Sequence, residues 1–348
     1  MISRLFGLPG LFLVLACSGD DRWLLAPKVP TIQDYGTRGS YQLVPSHTIG
    51  DEVIEDPRGL LATSASGYLA ISEPTLCRVS VFDIKSGVLR YQVGKCGAGP
   101  HEFQRVSSLL FVKDSLIVFD GGSRRITIVD EDGGLVDSYA ASELWPGVSI
   151  SLAGAIAAGP AFLASHPVRD PEAPLVTVID RHSGSIVSQQ IPEVEAVGNK
   201  FSLGVQFCGT EWPNGPVIVV QGTWRLEGVA IRPTGGILWH SLTDLDWLRT
   251  YRTQGEIVPT GMARSPICGS HGVMLRMSRT LPGDPANAPW KPGYFEVRDW
   301  EGKVLLRSET SDEDEMFMQS GASWADYWMF VDPASPKPRI QAFRLEAM

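Results

Sequence analysis

The 348-residue chain lacks the patterns that mark several common classes of protein. It has no run rich in Lys and Arg, and its formal net charge is −9, which argues against binding to a nucleic acid backbone. A helical period of 3.6 residues is nearly absent. After Ala16, no stretch is long and apolar enough to span a bilayer as a helix. These absences leave an acidic, largely non-helical chain with 43% hydrophobic residues, enough for a large core.

Catalytic and metal-binding patterns are missing as well. There is no G-x-S-x-G elbow, P-loop, H-E-x-x-H or dinucleotide fingerprint, and the six histidines are scattered. The segment "DEDGG" at Asp130 lacks the Gly and Glu offsets of a calcium loop, so it indicates a turn. The acidic run at Ser311 is typical of a solvated loop. We predict no catalytic residue, metal ligand or cofactor from these motifs.

The segment from Met1 to Ala16 has the composition of an export signal. Arg4 supplies a positive charge, and Leu5 to Ala16 form an apolar core too short to span a bilayer. The four residues that end at Cys17, "VLAC", resemble the lipobox of bacterial lipoproteins, in which the signal is cut before the cysteine and its sulfur receives a lipid. The resemblance implies an anchor at the cell envelope, in the periplasm or at the outer membrane, without a transmembrane helix. The alternative is an ordinary secretory signal that contains a cysteine.

The four other cysteines are an even number in an oxidising compartment, which favours disulfides. Cys77 and Cys96 lie about equally far from the turn at Lys85–Gly87, so a hairpin folded there would bring them opposite each other. Cys208 and Cys268 each precede a Gly in similar contexts and are paired by elimination. With no C-x-x-C and no close Cys/His pair, we do not expect a structural zinc site.

Short β-branched and aromatic runs separated by turn residues recur from Tyr41 onward, which is typical of an all-β fold. "RVSVFDIKSGVL" at Arg78 and "RITIVDEDGGLV" at Arg125 share an Arg, alternating apolar residues, an Asp, a Gly turn and an apolar restart. Four more copies follow at steps of similar length, apart from one longer step between the fourth copy and the fifth. The equivalent positions are Val81, Ile128, Val178, Ala230, Val297 and Ala342.

The typical step of this repeat fits a β-propeller blade, because four short antiparallel strands with their turns need roughly 40 to 50 residues. We therefore predict a six-bladed β-propeller over 41–348, after a signal peptide at 1–16 and a lipidated cysteine with its tether at 17–40. The last copy ends one strand short at Met348. The segment "GSYQLVPSHTIGDE" near Tyr41 is predicted to supply the missing fourth strand and to close the ring.

The stretch from Gly97 to Val136 resembles NHL-type blades and the six-bladed propeller lipoproteins of bacteria. It has Gly-Pro-x-Glu-Phe, then a strand, x-V-x-Asp, Arg-Ile and a final Asp-x-Gly turn. The match covers the first two blades, about a quarter of the chain. His101 stands where such repeats often have Gly, and the later blades lack the Gly-Pro-x-Glu-Phe element. Propellers commonly bind partners at the mouth of the central channel, where the loops that enter the innermost strands converge.

Four cations are candidates for ligand binding at that mouth. Arg58 and Arg105 stand at the same distance before their repeat positions, so they should occupy equivalent places in adjacent blades. Lys200 and Arg264 precede the first strands of later blades more loosely. Together they could receive a carboxylate or another anionic group. The competing interpretation, which we favour, is that Arg58 and Arg105 pair with Asp56 and Glu102 and only join blades.

Two functions remain open. The first is a non-catalytic binding or scaffolding lipoprotein that holds a protein, peptide or glycan, with no nucleic acid partner. The second is an enzyme, because six-bladed propellers include metal-dependent lactonases and NHL-type lyases with sites in the central channel. Fold alone does not decide between them. The missing catalytic motifs favour the binding module.

Overall fold

The structure is a computed structural model, and part of the chain is described. The predicted signal peptide, Cys17 and Lys200 lie outside the described residues. The described ranges are 39–51, 53–56, 58–140, 143, 156–157, 162–165, 176–180, 186–190, 206–212, 215–221, 226–233, 236–243, 250–253, 256–259, 261–279, 291–309, 316–317, 319–332 and 337–348.

The described strands form six four-stranded sheets, all antiparallel, and one two-stranded sheet. We number the strands along the chain and the four-stranded sheets from 1 to 6. Sheet 1 contains β2 (Leu61–Thr63), β3 (Tyr68–Glu73), β4 (Arg78–Asp83) and β5 (Leu89–Val93). Sheet 2 contains β6 (Val106–Val112), β7 (Ser115–Asp120), β8 (Arg125–Val129) and β9 (Leu135–Ala140). Sheet 3 contains β10 (Ile156–Ala157), β11 (Phe162–Ser165), β12 (Val176–Asp180) and β13 (Ile186–Gln190).

The second half of the chain repeats this order. Sheet 4 contains β14 (Gln206–Trp212), β15 (Gly215–Gln221), β16 (Leu226–Ile231) and β17 (Ile237–Thr243). The two-stranded sheet contains β18 (Thr250–Thr253) and β19 (Glu256–Pro259). Sheet 5 contains β20 (Gly261–Cys268), β21 (Val273–Arg279), β22 (Lys291–Arg298) and β23 (Val304–Glu309). Sheet 6 contains β24 (Gly321–Trp324), β25 (Tyr327–Asp332), β26 (Arg339–Ala347) and β1 (Tyr41–Ile49).

The repeat positions found in the sequence all fall on the third strand of a sheet. Val81 lies on β4 and Ile128 on β8, and the other four positions lie on β12, β16, β22 and β26. The hairpin β18–β19 lies between sheets 4 and 5 in the chain. It accounts for the longer step between Ala230 and Val297.

The first strands of the six sheets contact one another in a closed circuit: β2 contacts β6, β6 contacts β10, β10 contacts β14, β14 contacts β20, β20 contacts β24, and β24 contacts β2. Polar bonds reinforce one side of the circuit. The Thr63 hydroxyl donates to the Ser323 carbonyl at 2.7 Å, and the Ser323 hydroxyl donates to the Cys268 carbonyl at 2.6 Å. This arrangement of radial antiparallel sheets is a β-propeller.

The predicted closure by the N-terminal strand is confirmed. β1 pairs with β26 in antiparallel register, from Tyr41 opposite Ala347 to Ile49 opposite Ile340. β1 is the outermost strand of sheet 6, so the two ends of the chain complete one sheet. The pairing covers an edge of β26 that would otherwise expose unpaired backbone groups.

Most of the described core lies between neighbouring sheets. Phe82 and Leu69 of sheet 1 pack with Met329 and Ile340 of sheet 6. Sheets 1 and 2, 4 and 5, and 5 and 6 share similar clusters. Because neighbours cover both faces of a sheet, β3 and β25 bury every residue except the first. The outer strand β5 has only its last residue buried.

Both predicted disulfides are present. Cys77, which follows a 3₁₀ turn at Pro74–Leu76, is bonded to Cys96 just after β5. Cys208 on β14 is bonded to Cys268 on β20, so this bond joins the first strands of sheets 4 and 5. The first bond joins the connection between β3 and β4 to the segment after β5, whereas the second joins two neighbouring sheets.

Candidate ligand-binding face

The antiparallel order defines two ends of the propeller. We call the end where the chain enters each first strand the entry face; it also carries the turns between second and third strands. We call the opposite end the hairpin face; it carries the turns between first and second strands and between third and fourth strands. Arg58 and Arg105 stand just before β2 and β6, so both lie at the entry face.

Arg58 forms the pair with Asp56 that the sequence suggested. Its Nε lies 3.0 Å from Asp56 Oδ1, and its own backbone N–H donates to the same oxygen at 3.1 Å. The carboxylate is buried, whereas the Arg58 side chain is 70% exposed. Thr75 donates to Asp56 through its amide and its hydroxyl. Burial raises the pKa of Asp56, but the hydrogen bonds from Arg58 and Thr75 outweigh it and hold the pKa well below its ordinary value.

A second buried carboxylate, Glu73, bonds to the same segment before β2. Glu73, at the end of β3, accepts the amide of Glu55 at 2.8 Å and the hydroxyl of Ser80 at 2.6 Å. Arg78 donates to both oxygens, with its Nε 2.7 Å from Oε2, and the Asp56 amide lies 3.5 Å from Oε1. Burial raises the pKa of Glu73, but the bonds from Arg78, Ser80 and the backbone lower it by more. The backbone that carries Arg58 is therefore fixed by charge-assisted bonds.

In sheet 2, Asp120 is the buried carboxylate that holds the segment before the first strand. It ends β7, is buried, and accepts the amides of Gln104 and Arg105 at 2.9 and 2.7 Å. It also accepts the Gly122 amide and the Ser123 hydroxyl, so one carboxylate holds the entry segment against the next turn. Burial raises its pKa, and these bonds lower it to below the ordinary value. The backbone of Arg105 is thus fixed, while its side chain is exposed.

The predicted pairing of Arg105 with Glu102 is wrong. Glu102 instead accepts Lys95 Nζ at 3.2 Å and the Gly99 amide at 2.9 Å. The reason is local: the loop from Lys95 to Phe103 folds on itself, and it brings these donors closer to Glu102 than Arg105. The Arg105 guanidinium lies over Gly121, where an added Cβ would be 3.5 Å from Nη2.

Arg264 lies elsewhere than predicted. It does not precede a first strand, because β20 has already begun at Gly261. It is partly buried within β20, opposite Arg276 of β21, and its Nε donates to the Ser278 hydroxyl at 3.1 Å. Burial lowers its pKa. Arg264 is therefore an interior group of sheet 5 and not a counterpart of Arg58.

Arg276 is a fully buried arginine that the sequence did not single out. Its two terminal nitrogens donate to the carbonyls of Phe317, Gln319 and Ser265 at 2.6 to 2.8 Å. Burial, together with the charge of Arg264, lowers its pKa to about 9. Its contacts reach the segment that leads into β24, so it joins sheet 5 to the entry of sheet 6.

A spacing signal was available for the acidic residues. Glu73 and Asp120 each precede an Arg by five positions, Arg78 and Arg125, and each pair lies in register across the turn between second and third strands. Asp332 and Arg339 of sheet 6 face each other in the same way. An acidic residue, a short turn and an Arg at the start of the next apolar run therefore mark a buried carboxylate at the entry face.

The described side chains contain no group of three or more His, Cys, Asp or Glu that could hold a metal ion. Within the same ranges, no helix has the length and apolar character needed to cross a bilayer. The described part of the entry face thus offers exposed guanidinium groups as its donors. Their chemistry suits a carboxylate or another planar anion.

Comparisons with known proteins give the fold. No protein-family profile matches the chain, and no curated protein matches it. A solved member of the DUF4221 family from Bacteroides vulgatus superposes with a TM-score of 0.63 at 11% identity, over 90% of this chain and 100% of that one. A candidate exported protein from Bacteroides fragilis gives a TM-score of 0.58 at 12% identity, over 91% of this chain and 99% of that one. At such low identity these likenesses concern the fold alone.

Proposed function

We propose that the chain is an exported, lipid-anchored β-propeller that binds an anionic group of a protein, peptide or glycan at its entry face, without catalysing a reaction. One observation carries this proposal. Arg58 and Arg105 present exposed side chains in neighbouring sheets, and the backbone amide of each is fixed by a buried carboxylate, Asp56 or Asp120. A fixed backbone beneath an exposed guanidinium lowers the ordering cost of binding.

The charge of the chain supports an anionic ligand at a local site. With a net charge of −9, the surface as a whole repels anions, so a small cationic area provides selectivity as well as attraction. Arg58 is engaged with Asp56 on one side but remains 70% exposed, which leaves guanidinium N–H groups directed to solvent. Arg124, in the turn after Asp120, is also exposed at this face.

The finer assignments of fold and location belong to the same proposal. We assign one blade to each four-stranded sheet, which gives a six-bladed ring with NHL-type first blades; the closed circuit of first strands supports this count. We assign Cys17 as the lipidated residue of an envelope protein. The likeness to a candidate exported protein from Bacteroides fragilis is consistent with export.

The alternative, a metal-dependent hydrolase or lyase in the central channel, has no specific observation in its favour among the residues that the structure describes. Arg264, which the sequence placed at the mouth, lies inside sheet 5 and bonds Ser278. The buried carboxylates at the entry face bond to the protein itself: Asp56, Glu73 and Asp120 accept hydrogen bonds, and Asp332 pairs with Arg339.

The proposal is tested with the full-length protein, an array of acidic peptides and acidic oligosaccharides, and the double variant Arg58→Ala/Arg105→Ala. Arg90→Ala is the matched control, because Arg90 is an exposed arginine on the outer strand β5. Since a hydrogen bond to a charged group contributes about 1.5–3 kcal/mol, the double variant should bind at least about tenfold more weakly, and the control should bind normally.

Equal binding by the double variant and the wild type would overturn the assignment of these arginines. Elemental analysis of the same preparation tests the enzyme alternative. One stoichiometric divalent metal, whose removal lowers the melting temperature and abolishes turnover of a lactone, would favour the hydrolase instead.

A further inference from the structure

Exposed aliphatic side chains gather at the hairpin face. Among the residues whose side chains the structure describes, seven large hydrophobic residues are exposed, and six of them lie at this end of the propeller. Only Leu60 lies at the entry face. The six are Val88 (61% exposed), Leu135 (43%), Val136 (60%), Val187 (39%), Ile237 (38%) and Met348 (73%).

The common position of these residues follows from the repeat. Val88 stands just before β5, Leu135 begins β9, Val187 is the second residue of β13, and Ile237 begins β17. Each therefore follows the turn between the third and fourth strands of its sheet. Met348 follows β26, the third strand of sheet 6, and so lies at the same end. Sheets 1, 2, 3, 4 and 6 each contribute at least one aliphatic residue to this rim.

The outer strand is where polar residues would ordinarily stand, since its edge faces water. The fold does not require an apolar residue at the start of an outer strand to be exposed, because Val304, at the start of β23 in sheet 5, is only 7% exposed. Recurrent aliphatic residues on a rim indicate contact with an apolar environment more than chance exposure of single residues.

The N-terminal segment enters the fold at the same face. Tyr41 begins β1 opposite Ala347, and the Met348 amide donates to the Ser40 carbonyl at 2.8 Å. Cys17, the proposed lipid attachment site, precedes Ser40 in the chain. The polypeptide that would lead to the membrane therefore leaves the propeller beside Met348, next to the aliphatic rim.

Aromatic residues and mixed charges complete this face. Trp324 and Tyr327, at the turn between β24 and β25, stack with ring centroids 6.2 Å apart, and Lys85 Nζ lies 5.6 Å from the Trp324 ring. Trp and Tyr are favoured at the headgroup level of bilayers. Exposed charges of both signs surround the rim, among them Lys85, Lys113, Arg232, Lys303, Glu131, Asp132, Glu301 and Asp326. This balance fits zwitterionic headgroups better than a strongly anionic surface.

We propose that the hairpin face rests on the lipid bilayer, with the aliphatic rim inserted among zwitterionic headgroups and the entry face directed away from the membrane. This inference rests on the proposed lipid anchor at Cys17. It adds an orientation: the face with Arg58 and Arg105 is presented to partners in the aqueous phase. The acyl chains at Cys17 would hold the protein at the membrane, and the rim would add a second, weak contact that sets the orientation of the propeller.

The test places a polarity-sensitive fluorophore at either end of the full-length protein. Single cysteines are added as Val136→Cys at the hairpin face and Leu60→Cys at the entry face; both positions are exposed, so neither label disturbs the core. The lipidated protein is reconstituted into phosphatidylcholine vesicles that contain spin-labelled lipid. We expect the label at position 136 to shift to the blue and to be quenched, and the label at position 60 to be unaffected.

Other outcomes overturn the inference and separate it from the anchor. Flotation with the vesicles, but without quenching at position 136 or with quenching at position 60, leaves the anchor standing and overturns the orientation. Absence of flotation, matching that of Cys17→Ser, overturns both. A blue shift at position 136 without vesicles would indicate a second copy of the chain on this face, and it too would overturn the proposal.

A variant of the rim gives an independent readout. Val88→Ser/Val136→Ser removes two exposed side chains, so the melting temperature should stay unchanged. With the fluorophore at Ile237→Cys, the vesicle-induced blue shift should decrease in this variant. An unchanged shift would contradict insertion of the rim.

Discussion

Sheets 1 and 2 fix the segments that enter the propeller with carboxylates, whereas sheet 5 does so with an arginine. Glu73 and Asp120 accept backbone N–H groups of the segments before β2 and β6. Arg276 donates to backbone carbonyls of the segment before β24. Both solutions satisfy buried backbone groups that the irregular entry segments cannot satisfy within a sheet.

The difference has a consequence for where ligands can bind. A carboxylate beneath the entry segment leaves cationic side chains free to face solvent, as Arg58 and Arg105 do. Where an arginine holds the segment, the cation itself is buried. Arg276 is 1% exposed, and burial and the nearby Arg264 lower its pKa to about 9. At these entry segments, Arg58 and Arg105 are therefore accessible to a ligand, whereas Arg276 is structural.

The strongest test of the comparison is removal of a carboxylate. Asp120→Ala should lower the free energy of unfolding by about 3–5 kcal/mol, because it leaves several buried donors without an acceptor. Asp137→Ala, at an exposed position of β9, should change it by less than about 0.5 kcal/mol. Chemical denaturation measures both. A loss for Asp120→Ala no larger than that for Asp137→Ala would show that the carboxylate does not hold the entry segment.

The disulfides test the two halves separately. Chain entropy predicts a loss of about 4 kcal/mol for Cys208→Ala/Cys268→Ala, which opens a sequence separation of 60. It predicts about 3 kcal/mol for Cys77→Ala/Cys96→Ala, with a separation of 19. Thermal unfolding of both double variants gives the order. The reverse order would mean that the loop from Lys95 to Phe103 depends on its disulfide more than sheets 4 and 5 depend on theirs.

Replacing the buried arginine should have a smaller effect. Arg276→Met keeps the apolar stem and removes the charge, so loss of three donor contacts is partly offset by relief from burying a cation. We expect a loss of about 1–3 kcal/mol by urea denaturation. The exposed Arg90→Met removes only a contact with the Tyr68 ring, at 4.8 Å, and should cost less than about 1 kcal/mol. A loss equal to that of Asp120→Ala would mean that a buried arginine and a buried carboxylate stabilise their entry segments equally.

The mildest perturbation is pH. The folded pKa values of Glu73 and Asp120 lie below their ordinary values, so the unfolded chain binds more protons in the acid range. Their contribution to stability is present above the unfolded pKa, near pH 4, and is lost as pH falls through the folded pKa. Unfolding measured from about pH 6 down to about pH 2 should show this decline. Glu73→Gln/Asp120→Asn should flatten it; an equally steep decline in that variant would place the effect in other carboxylates.

Much of the architecture was readable from the repeat. The alternation around Val81 and Ile128 located third strands, because successive side chains of a strand point to opposite faces of the sheet. The equal distances of Cys77 and Cys96 from one turn predicted their bond. The candidate site was harder to predict. The position of Arg58 at the entry face followed from its place before β2, but the carboxylate that holds this segment is Glu73, the last residue of β3.

Arg264 shows most clearly why the rest could not be predicted. In sequence it resembles Arg58, as a cation ahead of an apolar run, yet β20 starts earlier and takes it into sheet 5. Where a strand begins depends on pairing with its neighbour, and here the pairing with β21 places Arg264 opposite Arg276. Similarly, Glu102 turns to Lys95 because of the fold of a single loop.

Residue patterns alone predicted the all-β class, the recurrence of a four-stranded unit, the closure of the last sheet by Tyr41–Ile49 and the pairing of four cysteines. These features depend on local periodicity and on spacing, which the chain carries directly. The packing of the sheets sets which arginines face solvent, which carboxylates are buried and which rim is apolar. Exposure of a charged or aliphatic side chain is a property of the neighbours that pack around it, and in a ring of sheets those neighbours come from other repeats.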